Sequence, residues 1–304
     1  MTAPPATEPA VDVSGLRMRY GRTDVLLGVD LTVHRGEVVA LLGPNGAGKT
    51  TTIEILEGFR APSAGRVRVL GADPLHAGDD WRSRVGVVLQ SWRDHGKWTA
   101  RSLLDHLRSC YEPLARPGRE PHATAALLDR VGLAAVADRQ VRRLSGGQRR
   151  RLDLAAGIVG RPELLFLDEP TAGFDPVARR DFHDLVHDLT DAEDVTVLLT
   201  THDLDEAEKL ADRVLILDRG RIVADDSADR LARSTAGLAE VRWTEGGARH
   251  VHAAADATAF VRELLARPDI TDLEVRRASL EDTYLAVVSD PATPTAPTAP
   301  EDRR

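Results

Sequence analysis

The chain has 304 residues, 42% of them hydrophobic and 29% charged, and a formal net charge of −8; this is enough to bury a core in two domains, or one domain with an appendage, and has the wrong sign for a general nucleic-acid binder. A single cysteine, Cys110, excludes an intramolecular disulfide framework and fits a reducing compartment. No apolar run approaches the roughly 18 residues of a membrane span, and the Pro/Ala/Thr-rich start lacks the basic and apolar regions of a secretory signal, so any membrane role is expected to run through a partner.

In chain order, residues 1–10 hold three prolines and little to bury, and a disordered tail is expected there. Residues 36–42 (GEVVALL) read as a strand that is apolar on both faces, as in a covered parallel sheet. The run Gly43-Pro44-Asn45-Gly46-Ala47-Gly48-Lys49-Thr50-Thr51 then leads into a helix over 49–57. Strands follow over 66–70 and 85–89, the second ending at Gln90. Residues 100–111 and 123–131 carry apolar positions at i, i+3, i+4 spacing and read as amphipathic helices. Cys110, on the first of them, is expected to be a small core residue. Arg142, Arg143 and Arg149–Arg151 cluster around the string Leu144-Ser145-Gly146-Gly147-Gln148, and read as a solvated helix face. Apolar strands at 164–167, 195–200 and 213–217 alternate with helices at 176–190 and 204–211. Such alternation argues for an α/β fold around a mainly parallel sheet.

After residue 234 the texture changes. Segments 238–243 and 249–253 flank Glu245-Gly246-Gly247, a hairpin signal. A helix over 256–267, a strand over 271–276 and a helix over 279–288 complete a small α+β unit. The expected organisation is a main domain over 11–234, with a helical subdomain over about 100–160. An accessory domain over 235–289 and a tail over 290–304, too poor in apolar residues for a core, complete it.

Two segments carry chemistry of their own. Residues 43–50 match G-x-x-x-x-G-K-[ST], the P-loop, between an apolar strand and a helix, which is the context that motif needs. Glycines let backbone N–H groups converge on phosphate oxygens, and the helix N-terminus adds its positive end. Lys49 is expected to reach the β- and γ-phosphates and the Thr50 hydroxyl to ligate Mg²⁺. Residues 164–169 form an apolar strand ending in Asp168 and Glu169. Asp168 is expected in the Mg²⁺ shell and Glu169 to polarise a water for in-line attack on the γ-phosphate.

Leu144-Ser145-Gly146-Gly147-Gln148, with Ser145 placed 23 residues before Asp168, resembles the signature of ATP-binding cassette (ABC) ATPases. A serine hydroxyl and Gly-Gly N–H groups opening a helix make a second anion site. In that family this site caps the γ-phosphate bound to the other subunit. The resemblance extends to Tyr20, like the aromatic that stacks on adenine, and to Gln90, like the glutamine contacting Mg²⁺ and the attacking water. It also extends to Asp175, like the aspartate of the loop at the dimer interface, and to His202, like the histidine contacting the γ-phosphate. Phe174 stands where leucine is commonest in the family, which implies altered packing at that interface. The resemblance covers about residues 11–230. It implies a P-loop NTPase ABC cassette and a homodimer enclosing two MgATP sites. It also implies separately encoded transmembrane permease subunits, a place at the cytoplasmic face of the membrane, and no nucleic-acid partner.

Residues 162–176 and 279–285 (SLEDTYL), with the appended unit, resemble the drug-export branch that includes daunorubicin-resistance ATPases. Trp92 and Trp98 are either anchors for the membrane subunit or local packing residues. Two other functional classes stay open at this level. One is a soluble, non-transport ABC ATPase. The other is a nucleotide-sensing regulatory protein.

Overall fold

A computed structural model describes residues 8–89, 95–236, 239–254, 257–267, 269–276 and 280–289. The chain divides into two compact units, Met1–Ala228 and Asp229–Arg304.

The first unit opens with a long antiparallel pair, β1 (Val11–Tyr20) and β2 (Thr23–Val33), which β4 (Ala64–Val69) joins in the order β2-β1-β4. The sequence expectation did not contain β1 and β2. Their alternation is broken at Gly15 in β1, between Ser14 and buried Leu16, and at Gly28 in β2. Both glycines adopt positive φ, and the register shifts after Val13. Such bulges erase the period-2 signal while keeping the strands paired.

The central sheet runs β5-β6-β7-β3-β8-β9. It comprises β5 (Val85–Val88), β6 (Leu164–Asp168), β7 (Thr196–Thr201), β3 (Val38–Leu42) and β8 (Arg213–Asp218), all parallel, with β9 (Arg221–Asp226) antiparallel at one edge. Every residue of β3, β6 and β7 is buried, the composition expected of strands covered on both faces. The helices α1 (Lys49–Leu56), α2 (Asp79–Ser83), α5 (Gly146–Ile158), α6 (Pro176–Glu193) and α7 (Leu204–Leu210) alternate with these strands. The fold is therefore the mixed, mainly parallel α/β sheet of a P-loop NTPase.

Between β5 and α5 lie α3 (Ala100–Tyr111) and α4 (Thr124–Arg130). A capping box starts α3: Thr99 Oγ1 accepts from the Ser102 N–H, and Ser102 Oγ accepts from the Thr99 N–H. Ala100, Leu103 and Leu104 form its buried stripe. Cys110 lies at the edge of that stripe and is exposed, not in the core as the sequence suggested.

The second unit begins with α8 (Ala228–Ala236), at whose start the division falls. It holds β10 (Ala239–Glu245), β11 (Ala248–Ala254), α9 (Ala257–Leu265), β12 (Ile270–Arg276) and α10 (Leu280–Ser289). The antiparallel sheet β11-β10-β12 turns at Gly246-Gly247, both at positive φ, as a two-residue hairpin turn requires. Val241, Trp243, Ala254 and Leu264 form its small core. Among the described residues, no helix is long and apolar enough to cross a membrane.

Candidate active site

The buried strand β3 delivers the chain into a loop with Gly46 and Gly48 at positive φ, and α1 begins at Lys49. A Cβ on Gly43 would meet the Leu217 carbonyl oxygen at 2.3 Å, so only glycine lets the loop leave the sheet there. Lys49 is buried, and its Nζ donates to the Gly43 carbonyl at 2.7 Å and the Pro44 carbonyl at 3.3 Å. The lysine thus holds its own loop curled. The N-cap of α1 is Gly48, with no side chain to satisfy the first-turn N–H groups, which leaves them for an anion. Burial pulls the Lys49 ammonium below its ordinary pKa, and the charges of Glu169 and Asp168 oppose that shift. These three residues therefore share one electrostatic site.

Strand β6 carries Asp168 at its end, where Thr200 Oγ1 on β7 donates to Asp168 Oδ1 at 2.5 Å. The next residue, Glu169, has φ 44°. For a residue with a Cβ that conformation costs about 1–2 kcal/mol. Neighbours hold it. The Glu169 N–H donates to Thr200 O and to Thr200 Oγ1, each at 3.1 Å. Its carboxylate Oε1 lies 3.2 Å from His202 Nδ1, at the end of β7. His202 is 57% exposed and Glu169 16%, so the histidine covers the carboxylate from the solvent side.

The start of α5 carries the LSGGQ string. Ser145 Oγ accepts from the Gln148 N–H at 3.2 Å and Gln148 Oε1 accepts from the Ser145 N–H at 3.1 Å, a closed capping box. Among the described residues, the side chains of Ser145 and Gln148 bond only each other's N–H. Ser145 and Gly146 are exposed. Gln148 thus shapes the helix start. Asp175 caps α6, accepting from the Val177 and Ala178 N–H groups at 3.0 and 2.9 Å. Phe174 packs edge-on against Phe182 of α6, with ring centroids 5.9 Å apart, a contact within the chain.

Tyr20 ends β1 at the hairpin tip and is exposed. The Arg60 guanidinium carbon lies 5.0 Å from its ring centroid, and Arg60 Nε donates to Glu54 Oε2 at 2.6 Å. Gln90 and Trp92 lie outside the described residues. Trp98 is partly exposed, with its ring 4.9 Å from His95 and 5.1 Å from His106.

The arginine cluster is not one solvated face. Arg142 and Arg143 are exposed. Arg149 pairs with Asp153 and Arg151 with Asp181. Arg150 is buried and donates to the carbonyls of Pro170, Asp168 and Glu169. Helix α5 is covered on most of its circumference, so the polar run did not mark its exposed side.

Glu57, at the C-cap of α1, is also buried, and its Oε1 has no hydrogen-bond partner among the described residues. Burial, with Asp168 and Glu54 nearby, pushes its carboxyl up to about 8. No sequence feature marked it. A folded-state value above the unfolded one means stability is full below about pH 4.5 and falls as pH rises towards 8. The expected result is that Glu57→Gln gains on the order of 3 kcal/mol over wild type between pH 6 and pH 9. Urea denaturation at both pH values checks this, and a pH-independent difference would refute it.

The donors suit MgATP. Mg²⁺ takes oxygen ligands and is held by one or two protein groups plus phosphates and waters. The Thr50 side chain is exposed at the head of α1, and Asp168 presents a carboxylate at the strand end beside Lys49. Among the described residues no cluster of three or more His, Cys, Asp or Glu side chains could hold a metal alone.

The chain is similar to known proteins in sequence and in fold. The ABC transporter family matches residues 26–172. The chain is 39% identical to the daunorubicin/doxorubicin resistance ATP-binding protein DrrA of Streptomyces peucetius, over 94% of this chain and 95% of that one. It is 42% identical to the aliphatic sulfonates import ATP-binding protein SsuB 1 of Nocardia farcinica, over 72% of this chain and 83% of that one. A solved ATP-binding subunit of an ABC transporter superposes with a TM-score of 0.63 at 27% identity, covering 74% of this chain and 92% of that chain.

Proposed function

The chain belongs to the ABC transporter family of ATP-binding subunits, and from that membership we propose that it binds and hydrolyses ATP to drive an exporter of drugs or natural products. It works as a homodimer with separately encoded membrane subunits at the cytoplasmic face of the membrane. The observation that carries the reading is the convergence of buried Lys49 with Asp168 and Glu169 at the mouth of one glycine loop. Export is favoured because the alignment with the drug-resistance subunit spans 94% of the chain, and so includes the second unit. That with the import subunit spans 72%.

In this reading the loop amides of residues 43–51 and Lys49 hold the phosphates, and Tyr20 stacks on the adenine. Thr50, Asp168 and Gln90 would hold Mg²⁺, which would supply neutralisation of phosphate charge. Glu169 accepts a proton as the water oxygen bonds to the γ-phosphorus and the bond to the ADP oxygen breaks. His202 aims that carboxylate and braces the γ-phosphate. Ser145 and Gly146, left exposed by the capping box with Gln148, face the nucleotide of the partner subunit together with half-buried Gly147, with Asp175 beside them. Catalysis is then positioning and charge stabilisation.

The test is a tagged pull-down from detergent-solubilised native membranes with ATP present, alongside a steady-state ATPase assay. The expected result is MgATP turnover and stoichiometric recovery of a multi-span membrane protein. Turnover with only soluble partners would replace the exporter by a soluble ATPase. Nucleotide binding without turnover would leave a sensor.

A further inference from the structure

Arg150 stands one turn into α5, behind the exposed Ser145, and its guanidinium enters the protein. Its fork donates to four backbone carbonyls. Nε donates to Pro170 O at 2.7 Å, and one terminal nitrogen donates to Asp168 O at 3.0 Å and Glu169 O at 3.1 Å. The other donates to Leu89 O, just past the end of β5. One side chain thus gathers the ends of two neighbouring strands and the peptide that follows them.

The close approach this needs is built in. A Cβ on Gly86 would meet the Gly157 carbonyl oxygen at 2.3 Å, and one on Gly157 would meet Val88 Cγ2 at 2.8 Å. Glycine on both sides lets α5 lie directly on β5. Glu169 meanwhile holds a left-handed backbone whose N–H is fixed by Thr200 and whose carbonyl is fixed by Arg150. Release of the carbonyl would let that peptide relax and swing the carboxylate away from its line of attack.

We propose that Arg150 is a positioning residue for hydrolysis, tying the helix that presents Ser145 to the backbone of Asp168, Glu169 and Pro170. This rests on the reading of Glu169 as the group that activates water. It touches neither nucleotide nor metal. It makes the aim of the Glu169 carboxylate depend on where α5 sits, so engagement of Ser145 by the partner's nucleotide is felt at the hydrolytic carboxylate of the same subunit. A planar fork with five donors is required to reach four carbonyls at once, which an ammonium cannot do.

The test uses the full chain carrying Arg150→Met or Arg150→Lys. It measures kcat and KM for MgATP, the affinity for a fluorescent ATP analogue, and the melting temperature. The expected result for Arg150→Met is a loss of about 30- to 100-fold in kcat, since small misplacements cost that much. Nucleotide affinity should stay within threefold and MgATP should accumulate a dimer on gel filtration. Arg150→Lys should recover part of kcat at unchanged affinity. A kcat within threefold of wild type in both variants, or kcat and affinity falling together, overturns the proposal. If Arg150→Met does not fold, Arg150→Lys decides: a fall of fivefold or more in kcat at unchanged affinity supports it, and wild-type kcat refutes it. An inactive wild type would instead remove the hydrolytic reading, and this inference with it.

Discussion

Glu169→Gln is expected to bind MgATP within about threefold of wild type and to turn it over 10²- to 10⁴-fold more slowly, the usual contribution of a positioned proton acceptor. The substitution keeps size and shape, so the Glu169 N–H contacts to Thr200 and the left-handed backbone are retained. An amide oxygen can still accept from His202 Nδ1, now 3.2 Å from the carboxylate. What is lost is the capacity to take a proton from water. In the proposed cycle the closed dimer reopens only after hydrolysis, so the variant should run as an ATP-dependent dimer on gel filtration while the wild type returns to monomer. Turnover within tenfold of wild type would move the proton acceptor elsewhere, with His202 the first residue to examine.

Lys49→Ala acts one step earlier. Its Nζ is a buried cation that braces the Gly43 and Pro44 carbonyls. Hydrogen bonds from a charged donor contribute about 1.5–3 kcal/mol. ATP affinity should therefore fall by about 10- to 150-fold, with the loop carbonyls also losing their strut. Titration calorimetry with ATP, compared with Glu169→Gln, separates binding from chemistry. The lysine variant should weaken binding and never trap a dimer, whereas the glutamine variant should do the reverse. Unchanged affinity in Lys49→Ala would mean that the loop amides alone hold the phosphates.

These two residues were legible because their chemistry imposes local strings. Gly43, Gly46 and Gly48 are dictated by backbone geometry, and Lys49 and Thr50 by the helix start that follows. Asp168 and Glu169 stand out because two carboxylates follow a strand with no polar residue of its own. Arg150 and Thr200 were not legible. Arg150 acts on backbone carbonyls and Thr200 on the Asp168 carboxylate and the Glu169 N–H, all far along the chain and without a residue-specific signature at the acting residue. Three consecutive arginines look alike in sequence, yet one is buried and its two neighbours sit in ion pairs with Asp153 and Asp181.

The sequence by itself determined the alternating α/β order, the phosphate loop, the acidic pair, the Gly246-Gly247 hairpin and the class of chemistry, because each depends on residues adjacent in the chain. The tertiary structure decided what depends on distance. It placed the bulged strands β1 and β2 beside β4 and moved Cys110 to the surface. It buried Glu57, whose Oε1 has no partner among the described residues, and it turned Arg150 inward onto carbonyls up to 61 positions away. The physical reason is that burial and backbone satisfaction belong to the packed chain as a whole, and no local period or motif encodes which side of a helix another strand will cover.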